Sequence, residues 1–378
     1  MPLHNPLPTT LQDLVIWLLP GLTERKLQKL IPEPCCEPHV LLEAAYRFPG
    51  LPSKTRELIQ IALHDPWRLP FAKQLEAHLS WADAENHWLL PFRELPESLQ
   101  QLPDPPYLLA IKGERQTLPG PALAVVGSRR LSPEGRSLAY HWSHWLTWQG
   151  LNLVSGLARG VDGQAHQGAL KAMEEGATGC TLAVLAHGMD SLYPPEHQNL
   201  AAHMLDQGGA LVSEYPLGNR PLARQFPKRN RIITGLSLGT LVVEATLRSG
   251  SLVSARLAME QGREVMAIPG SVRREQSQGC HQLIRQGAAL VTCPEEVLQE
   301  VQQPLKFHLE KNSQSKSQPA AIPEKLQSIY CLLTDAPQSM DDLLLQAQLD
   351  AATGMLLLQE LELEGLAEQQ PGGWCLST

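Results

Sequence analysis

The chain has 378 residues, of which 43% are hydrophobic and 19% charged, so we expect a globular protein with two or three domains. Its formal net charge of −8 argues against a surface that is basic throughout, and it contains no membrane-length apolar run, no secretion signal and no C-x-x-C pair among its seven cysteines. We therefore expect a cytoplasmic protein with reduced thiols, without a membrane span, a disulfide framework or a metal site.

Residues 1–100 show the spacing of apolar residues, interrupted by prolines, that predicts a small helical domain. The stretch FPGLPSKTRELI at 48–59 is similar to a helix-hairpin-helix turn, in which small residues let backbone amides approach a phosphate; a SAM-like helical domain is the related interpretation. Residues 1–85 carry 8 Lys and Arg against 10 Asp and Glu. This balance favours a packing or partner role for the domain over DNA binding.

Residues 105–300 contain short runs of Val, Ala and Leu with glycine-rich ends, separated by segments compatible with helices. The first such helix can begin at Ser132 and Pro133 and end at Gly150. Continuous apolar strands that alternate with helices predict an α/β fold, with a Rossmann-like and mostly parallel sheet covered on both faces. The runs are LAVVGS at 123, LNLVSG at 151, TLAVLAHG at 181, ALVSEYP at 210, TLVVEA at 240, EVMAIPG at 264 and ALVT at 289.

The C-terminal part begins with a polar, Gln- and Ser-rich stretch at 301–322 that predicts a linker. Helices near 323–334, 339–349 and 351–366, followed by a turn and a strand, predict a winged-helix domain over 323–378. Residues 326–378 contain eight Asp and Glu and no Lys, Arg or His. Because winged helices that bind DNA use a basic recognition helix, we predict that this domain does not bind DNA.

Four turns at the carboxyl ends of the predicted strands combine glycine, hydroxyl and cationic residues, and ligands of open parallel sheets bind at this edge. Backbone amides and helix N-termini bind phosphate, and arginine adds bidentate hydrogen bonds. No Asp or Glu lies between Tyr215 and Val243, and residues 215–259 hold seven Lys and Arg against one acid, Glu244. These turns predict a site for several successive phosphates. The candidate residues are Gly127, Ser128 and Arg129; Ser155, Gly156 and Arg159; Phe226, Lys228, Arg229, Asn230 and Arg231 in a cationic loop; and Ser249, Gly250 and Ser251.

Other side chains allow a functional and a structural interpretation. Asp162 and His166, four residues apart, have the spacing of a metal pair, but capping by Asp162 and packing by His166 are favoured because no third ligand is nearby. The tryptophans at 142, 145 and 148 are more typical of a core or partner contact than of a base-stacking platform. The chain has neither a P-loop nor a G-x-G-x-x-G motif, so no nucleotide cofactor is expected.

Taken together, a series of long motifs between about 105 and 298 resembles the DprA/Smf family. The resemblance implies a bacterial protein with a helical N-terminal domain, a Rossmann-like core and a winged-helix domain. It further implies that the protein binds single-stranded DNA, protects incoming strands during natural transformation, assists loading of the RecA recombinase and acts as a homodimer. By motif match, the DNA contacts are Ser128 with Arg129, Ser155 with Gly156, and Phe226 through Arg231. The motifs are VVGSR (125–129), SGLARGVDGQAHQGAL (155–170), GMDSLYP (188–194), SEYP (213–216), FPKRNRIITGLS (226–237), VVEATLRSGSLVSARLAMEQGREVMAIPG (242–270) and GCHQLIRQGA (279–288).

Two further functions remain as alternatives to a DNA-binding protein that is not an enzyme. Phosphoribohydrolases of related folds use a G-G-x-G-T-x-x-E turn, and the comparable stretch here runs from Gly235 to Glu244 without the paired glycines. A structural pairing of Glu244 with the nearby cations is favoured over a role as general base. In the other alternative, the basic loop docks an acidic protein.

Overall fold

The computed structural model of the protein describes residues 9–22, 26–27, 29, 38–306, 308, 333, 338–347, 349, 351–363, 367–370 and 373–376. The chain divides into two units, Met1–Lys306 and Phe307–Thr378. The first unit contains the N-terminal helices together with a nine-stranded sheet. In the described part of the chain, no helix is both long and apolar enough to cross a membrane.

In the described part of the N-terminal region, the helices of eight or more residues share one apolar core. Apolar residues three and four positions apart face this core, as Leu58, Ile59 and Ala62 do in the third helix. In the turn before that helix, the carbonyl oxygens of Phe48 and Pro49 accept hydrogen bonds from the Arg56 guanidinium of the same segment. The helices are α1 (Thr9–Leu18), α2 (Pro38–Arg47), α3 (Ser53–His64) and α4 (Ala72–Ala82).

The nine-stranded sheet has the order β1-β2-β6-β5-β4-β3-β7-β8-β9. The seven strands from β3 to β9 correspond to the seven apolar runs and pair in parallel, as the sequence predicts. The first two strands were not predicted, and they add an antiparallel edge beside β6. The strands are β1 (His87–Pro91), β2 (Leu108–Gly113), β3 (Ala122–Val126), β4 (Asn152–Ser155), β5 (Thr181–Leu185), β6 (Ala210–Ser213), β7 (Gly239–Val242), β8 (Glu264–Ala267) and β9 (Ala289–Leu290).

Helices cover both faces of the sheet. Along β3, Ala122, Ala124 and Val126 belong to one core cluster, whereas Leu123 and Val125 belong to another, so alternate side chains are buried on opposite faces. The predicted start of the first core helix is confirmed, because the Ser132 hydroxyl accepts a hydrogen bond from the Gly135 amide at 3.0 Å. The helices of this region are α5 (Glu97–Gln100), α6 (Pro133–Trp148), α7 (Val161–Glu174), α8 (Gln198–Asp206), α9 (Gln225–Gly235), α10 (Ser251–Glu260), α11 (Glu275–Arg285) and α12 (Pro294–Glu300).

The cationic segment at 226–231 is a helix and not the loop that the sequence predicts. It forms the first two turns of α9, whose later residues Ile232 and Ile233 are buried in the core. Pro227 lies in the first helical turn, where its missing N–H costs no intrahelical hydrogen bond. Helical geometry directs successive cations to different sides, so they do not all face one ligand.

The second unit has the order of elements predicted for a winged helix. Helices α13 (Met340–Ala347) and α14 (Ala351–Leu363) are followed by the antiparallel strands β10 (Ala367–Gln370) and β11 (Gly373–Leu376). Leu343, Leu358 and Trp374 belong to its apolar core. Residues 302–306 are helical, although the linker was expected from 301, and most of the helix predicted near 323–334 lies outside the described residues.

Candidate nucleic-acid interface

An open groove lies at the carboxyl ends of the parallel strands and has a volume of ≈ 870 Å³. This volume is near the upper end of the roughly 300–1,000 Å³ of small-molecule pockets. Two of the predicted turns contribute Gly127, Ser128, Arg129, Ser249, Gly250 and Ser251 to its walls. Phe226, Arg229 and Asn230 of α9 complete the set of predicted residues that line it.

An aromatic pair and an arginine meet in this groove. The Phe226 and Tyr193 rings lie edge to face with their centroids 5.8 Å apart, and Tyr193 is 41% exposed. The guanidinium carbon of Arg129 lies 5.4 Å from the centroid of the Phe226 ring. Arg129 is exposed and forms no ion pair with any described residue. Cationic and aromatic groups thus face the same space.

Ser128 shapes the turn that presents Arg129. Its amide donates to the carbonyl oxygen of Glu244 at 2.7 Å, and its hydroxyl bridges the backbone N–H and C=O of Arg130 at 3.1 and 2.8 Å. Gly127 is needed beside it because a Cβ there would lie 2.4 Å from the Val161 side chain. The turn therefore places Arg129 and Arg130 at the surface, while the Ser128 hydroxyl is already hydrogen-bonded.

In the second turn, the groups that the sequence predicts to contact phosphate are hydrogen-bonded within the protein. Ser155 is fully buried, and its hydroxyl donates to the carbonyl oxygen of Val125 at 2.6 Å. The amides of Gly156 and Ala158 donate to one carboxylate oxygen of Asp162 at 3.1 and 3.3 Å. The Asp162 carboxylate thus occupies the position that a phosphate oxygen would take. Ser155 and Gly156 are therefore hydrogen-bonded within the protein, and their DNA contacts stay predictions.

Arg229 supports the groove from below. Its guanidinium donates hydrogen bonds to the carbonyl oxygens of Gly156 and Val184, and it lies 6.0 Å from the Phe226 ring centroid. Burial lowers the pKa of Arg229 to about 10, so the side chain keeps its charge at neutral pH. Burial also raises the pKa of the Asp162 carboxyl, and the Arg229 charge opposes that rise. Arg229 is 4% exposed and stabilises the backbone beneath the groove.

Arg231 and Lys228 point away from the groove towards carboxylates that lie elsewhere in the sequence. Arg231 is buried and pairs with the buried Glu214 and with Asp104, whose Oδ1 is 3.1 Å from its Nε. The Lys228 ammonium is 3.8 Å from the second Glu214 oxygen. Neither side chain lines the groove, and Asp104 and Glu214 neutralise a charge that the local count left unpaired, so the DNA contacts at Lys228 and Arg231 stay predictions.

The last predicted cation, Arg159, also lies outside the groove lining and forms an exposed ion pair with Glu196. The fourth turn does belong to the groove. The hydroxyls of Ser249 and Ser251 are 2.7 Å apart at the start of α10, and Ser249 accepts from the Ser251 amide at 3.3 Å. The N-terminal end of this helix, which favours negative charge, therefore faces the same space as Arg129.

Glu244, the candidate general base, is not among the groove-lining residues. Its carboxylate accepts hydrogen bonds from the amide of Ser132, at 3.0 Å, and from the hydroxyl of the same residue, at 2.5 Å. A Cβ at Gly135 would lie 2.3 Å from the carboxylate carbon. The side chain therefore has a structural role, as favoured, but its partner is the start of α6 rather than a nearby cation.

Of the remaining ambiguous side chains, His166 and Trp142 are buried. His166 is fully buried with Nδ1 2.7 Å from the Thr181 hydroxyl, and burial lowers its pKa to about 3. Trp142 is buried in the core, whereas Trp148 is 49% exposed. Among the residues that the structure describes, no three His, Cys, Asp or Glu side chains come close enough together to hold a metal ion.

Several groove residues were not in the predicted set, notably Tyr193, Arg130, Pro221, Ala223 and Thr246. Arg130 directly follows Arg129 and could have been included on charge alone. Tyr193 lies in the motif GMDSLYP, but the sequence alone does not place it at the site, because it follows β5 and reaches the groove only through the fold.

Comparison with known proteins supports the assignment of both units. The family model described as DNA recombination-mediator protein A matches residues 88–302, and the DprA winged helix domain model matches residues 313–373. Protein Smf of Escherichia coli is 42% identical over 308 residues, which are 80% of each chain. DNA processing protein DprA of Streptococcus pneumoniae is 44% identical over 205 residues, or 54% of this chain and 70% of that protein.

Two solved structures are similar in fold. The structure of DNA processing protein A from Streptococcus pneumoniae has a TM-score of 0.62 and 32% identity, and it covers 78% of this chain and 99% of that one. The structure of DNA processing protein A from Helicobacter pylori, which concerns the single-stranded DNA binding mode of that protein, has a TM-score of 0.51 and 27% identity. It covers 58% of this chain and 96% of that one.

Proposed function

The chain belongs to the DprA/Smf family, and from this premise we propose that it binds single-stranded DNA in the groove lined by Arg129, Phe226 and Tyr193. In this proposal the protein protects incoming strands in the cytoplasm during transformation, acts as a homodimer and assists loading of the RecA recombinase. The observation that carries the DNA-binding proposal is the Arg129 guanidinium 5.4 Å from the Phe226 ring at an open groove.

The aromatic pair favours single strands over duplex. A base stacks on an aromatic ring only when its own face is uncovered, and the bases of a duplex already stack on each other. Such stacking is tolerant of sequence because every base has a flat face. The pair formed by Phe226 and Tyr193 therefore supports binding without strong sequence preference.

The cations around the aromatic pair fit a phosphate backbone. Arg129 and Arg130 are exposed on one turn, and Arg220, Arg224 and Arg248 are exposed in segments next to the groove. The start of α10 adds the positive end of a helix. Because these cations lie on several segments around the groove, they suit a run of successive phosphates better than a single mononucleotide.

A salt titration with single-stranded and duplex oligonucleotides tests this function. We expect single strands to bind more tightly, and we expect Phe226→Leu to weaken single-strand binding about five- to tenfold, since a stacked base is worth about 1–3 kcal/mol and leucine keeps part of the apolar contact. Tyr193→Phe keeps both rings and serves as the matched control. Equal binding of duplex and single strand, with no effect of Phe226→Leu, would contradict the proposal.

The winged-helix domain is proposed to make no DNA contact. Its helix α14 exposes Met355, Leu356 and Glu362, and residues 326–378 contain eight acids and no basic residue. Deleting residues 320–378 should therefore leave single-strand affinity unchanged or raise it a few fold, because removing acidic residues reduces repulsion of phosphate. Affinity of the shortened chain is measured against that of the full chain. A large loss would show that this domain takes part in binding.

A further inference from the structure

One wall of the groove is held in place by the N-terminal helices. We define the wall segment as residues 214–224, between the end of β6 and the start of α9. Its residues Pro221 and Ala223 line the groove, and Arg220 and Arg224 are its exposed cations. Under the proposed function, the position of this segment would decide where these two cations meet a DNA strand.

Three side chains from α1 and α4 hold backbone groups of the wall segment. The Nε2 atom of His78 accepts a hydrogen bond from the Leu217 amide at 2.9 Å. The Gln74 side-chain amide donates to the Leu217 carbonyl oxygen at 3.2 Å, and the Trp17 indole N–H donates to the Glu214 carbonyl oxygen at 3.1 Å. We call these three side chains the brace.

The geometry of His78 makes it a fixed acceptor. Its ring is fully buried and meets the Trp17 ring edge on, with centroids 5.2 Å apart. Because Nε2 accepts from an N–H, the ring hydrogen lies on Nδ1, which is 2.6 Å from the Gln74 carbonyl oxygen. Burial lowers the pKa of His78, which favours this neutral form, while Gln74 and the Asp190 charge oppose the shift.

We propose that the N-terminal helices position the groove rather than bind DNA: the brace holds the wall segment where Arg220 and Arg224 reach successive phosphates. This inference rests on the proposed function. All three brace residues precede residue 88, where the match to the family model begins. The near balance of 8 Lys and Arg against 10 Asp and Glu in residues 1–85 argues against a direct phosphate contact there.

Two substitutions at His78 separate positioning from simple destabilisation. His78→Phe keeps a ring against Trp17 but loses the acceptor, and we expect single-strand affinity to fall three- to tenfold. The salt slope of log affinity should fall by up to about 1.4, because each phosphate contact on a single strand contributes about 0.7. His78→Gln restores a side-chain acceptor for the Leu217 amide, and its affinity should stay within about twofold of wild type.

The effect of His78→Phe should vanish when Arg220 and Arg224 are both replaced by alanine, because the brace acts through these cations. An equal loss in both backgrounds, with an unchanged salt slope, would overturn the proposal. If His78→Phe does not fold, Trp17→Phe, which loses only the indole donor and part of the ring, replaces it in the same comparison. Arg129→Ala is measured alongside. If both His78→Phe and Arg129→Ala bind single strands normally, the proposal that the groove binds DNA is wrong. If only Arg129→Ala weakens binding, the proposed role of the brace alone is rejected.

Discussion

Replacing Arg129 with alanine should lower the affinity for single-stranded oligonucleotides by about tenfold to a hundredfold. A hydrogen bond to a charged group is worth about 1.5–3 kcal/mol, and about 1.4 kcal/mol corresponds to a factor of ten in affinity. Arg129 is exposed, and its guanidinium lies 5.4 Å from the Phe226 ring. One side chain can therefore bind a phosphate next to the base that stacks on Phe226.

The loss at Arg129 should be the same for every base sequence, because a phosphate contact carries no sequence information. Binding of labelled oligonucleotides of different sequence, followed by anisotropy at several salt concentrations, measures both the loss and the slope. We expect the slope to fall by about 0.7, the contribution of one phosphate contact on a single strand. Arg129→Lys should be intermediate, since lysine keeps the charge but loses the planar, bidentate group.

Arg256→Ala is the matched control for the Arg129 experiment. Arg256 is an exposed arginine on α10 that pairs with Glu260 at 3.5 Å and does not line the groove. Its removal takes the same charge from the protein, so it reports the effect of overall charge alone. Normal affinity of Arg129→Ala, or an equal loss in Arg256→Ala, would mean that the groove is not where the strand binds.

The sequence predicts the core sheet well because its strands are short apolar runs that are buried on both faces. All seven of these runs became the parallel strands β3 to β9. The strands β1 and β2 were not predicted because they lie beside the helical region, and the antiparallel pairing of β2 with β6 depends on long-range contacts. For the segment at 226–231, the charges suggested a loop, whereas the structure has a helix whose later residues Ile232 and Ile233 are buried in the core.

The sequence predicts which segments form the candidate site, but not which of their side chains are buried and paired within the protein. Local charge along the chain does not show which carboxylates the fold will bring to a cation. Glu214 follows β6 and Asp104 precedes β2, and both meet Arg231 only in the folded structure. Likewise, the Asp162 carboxylate binds the Gly156 amide that the sequence offers to a phosphate.

The arginines around the groove therefore divide by burial. Arg129 and Arg130 are exposed on the first turn and can contact a ligand. Arg229 and Arg231 are each 4% exposed and bind carbonyl or carboxylate oxygens of the protein itself. Because a buried cation requires partners within the protein, it supports the shape of the site and contributes little to the salt dependence of DNA binding.

Replacing Arg231 with methionine should lower the free energy of unfolding by about 3 kcal/mol, near the lower end of the roughly 3–5 kcal/mol expected when one partner of a buried ion pair is removed. The substitution leaves the buried Glu214 carboxylate without its closest cation. Lys228, with its ammonium 3.8 Å from Glu214, offsets part of this loss. Urea unfolding of the variant and wild type measures the difference, and the salt slope of DNA binding should not change.

The double variant Arg231→Met with Glu214→Gln should recover part of the stability, because it removes both the charge and the partner that needed it. Arg220→Met is the matched control, since it removes an exposed arginine and should change the free energy of unfolding by no more than about 0.5 kcal/mol. Normal stability of Arg231→Met together with a reduced salt slope would contradict this account. Arg231 would then contact the phosphate backbone when DNA is bound, and its pairing with Glu214 would have to open to admit the strand.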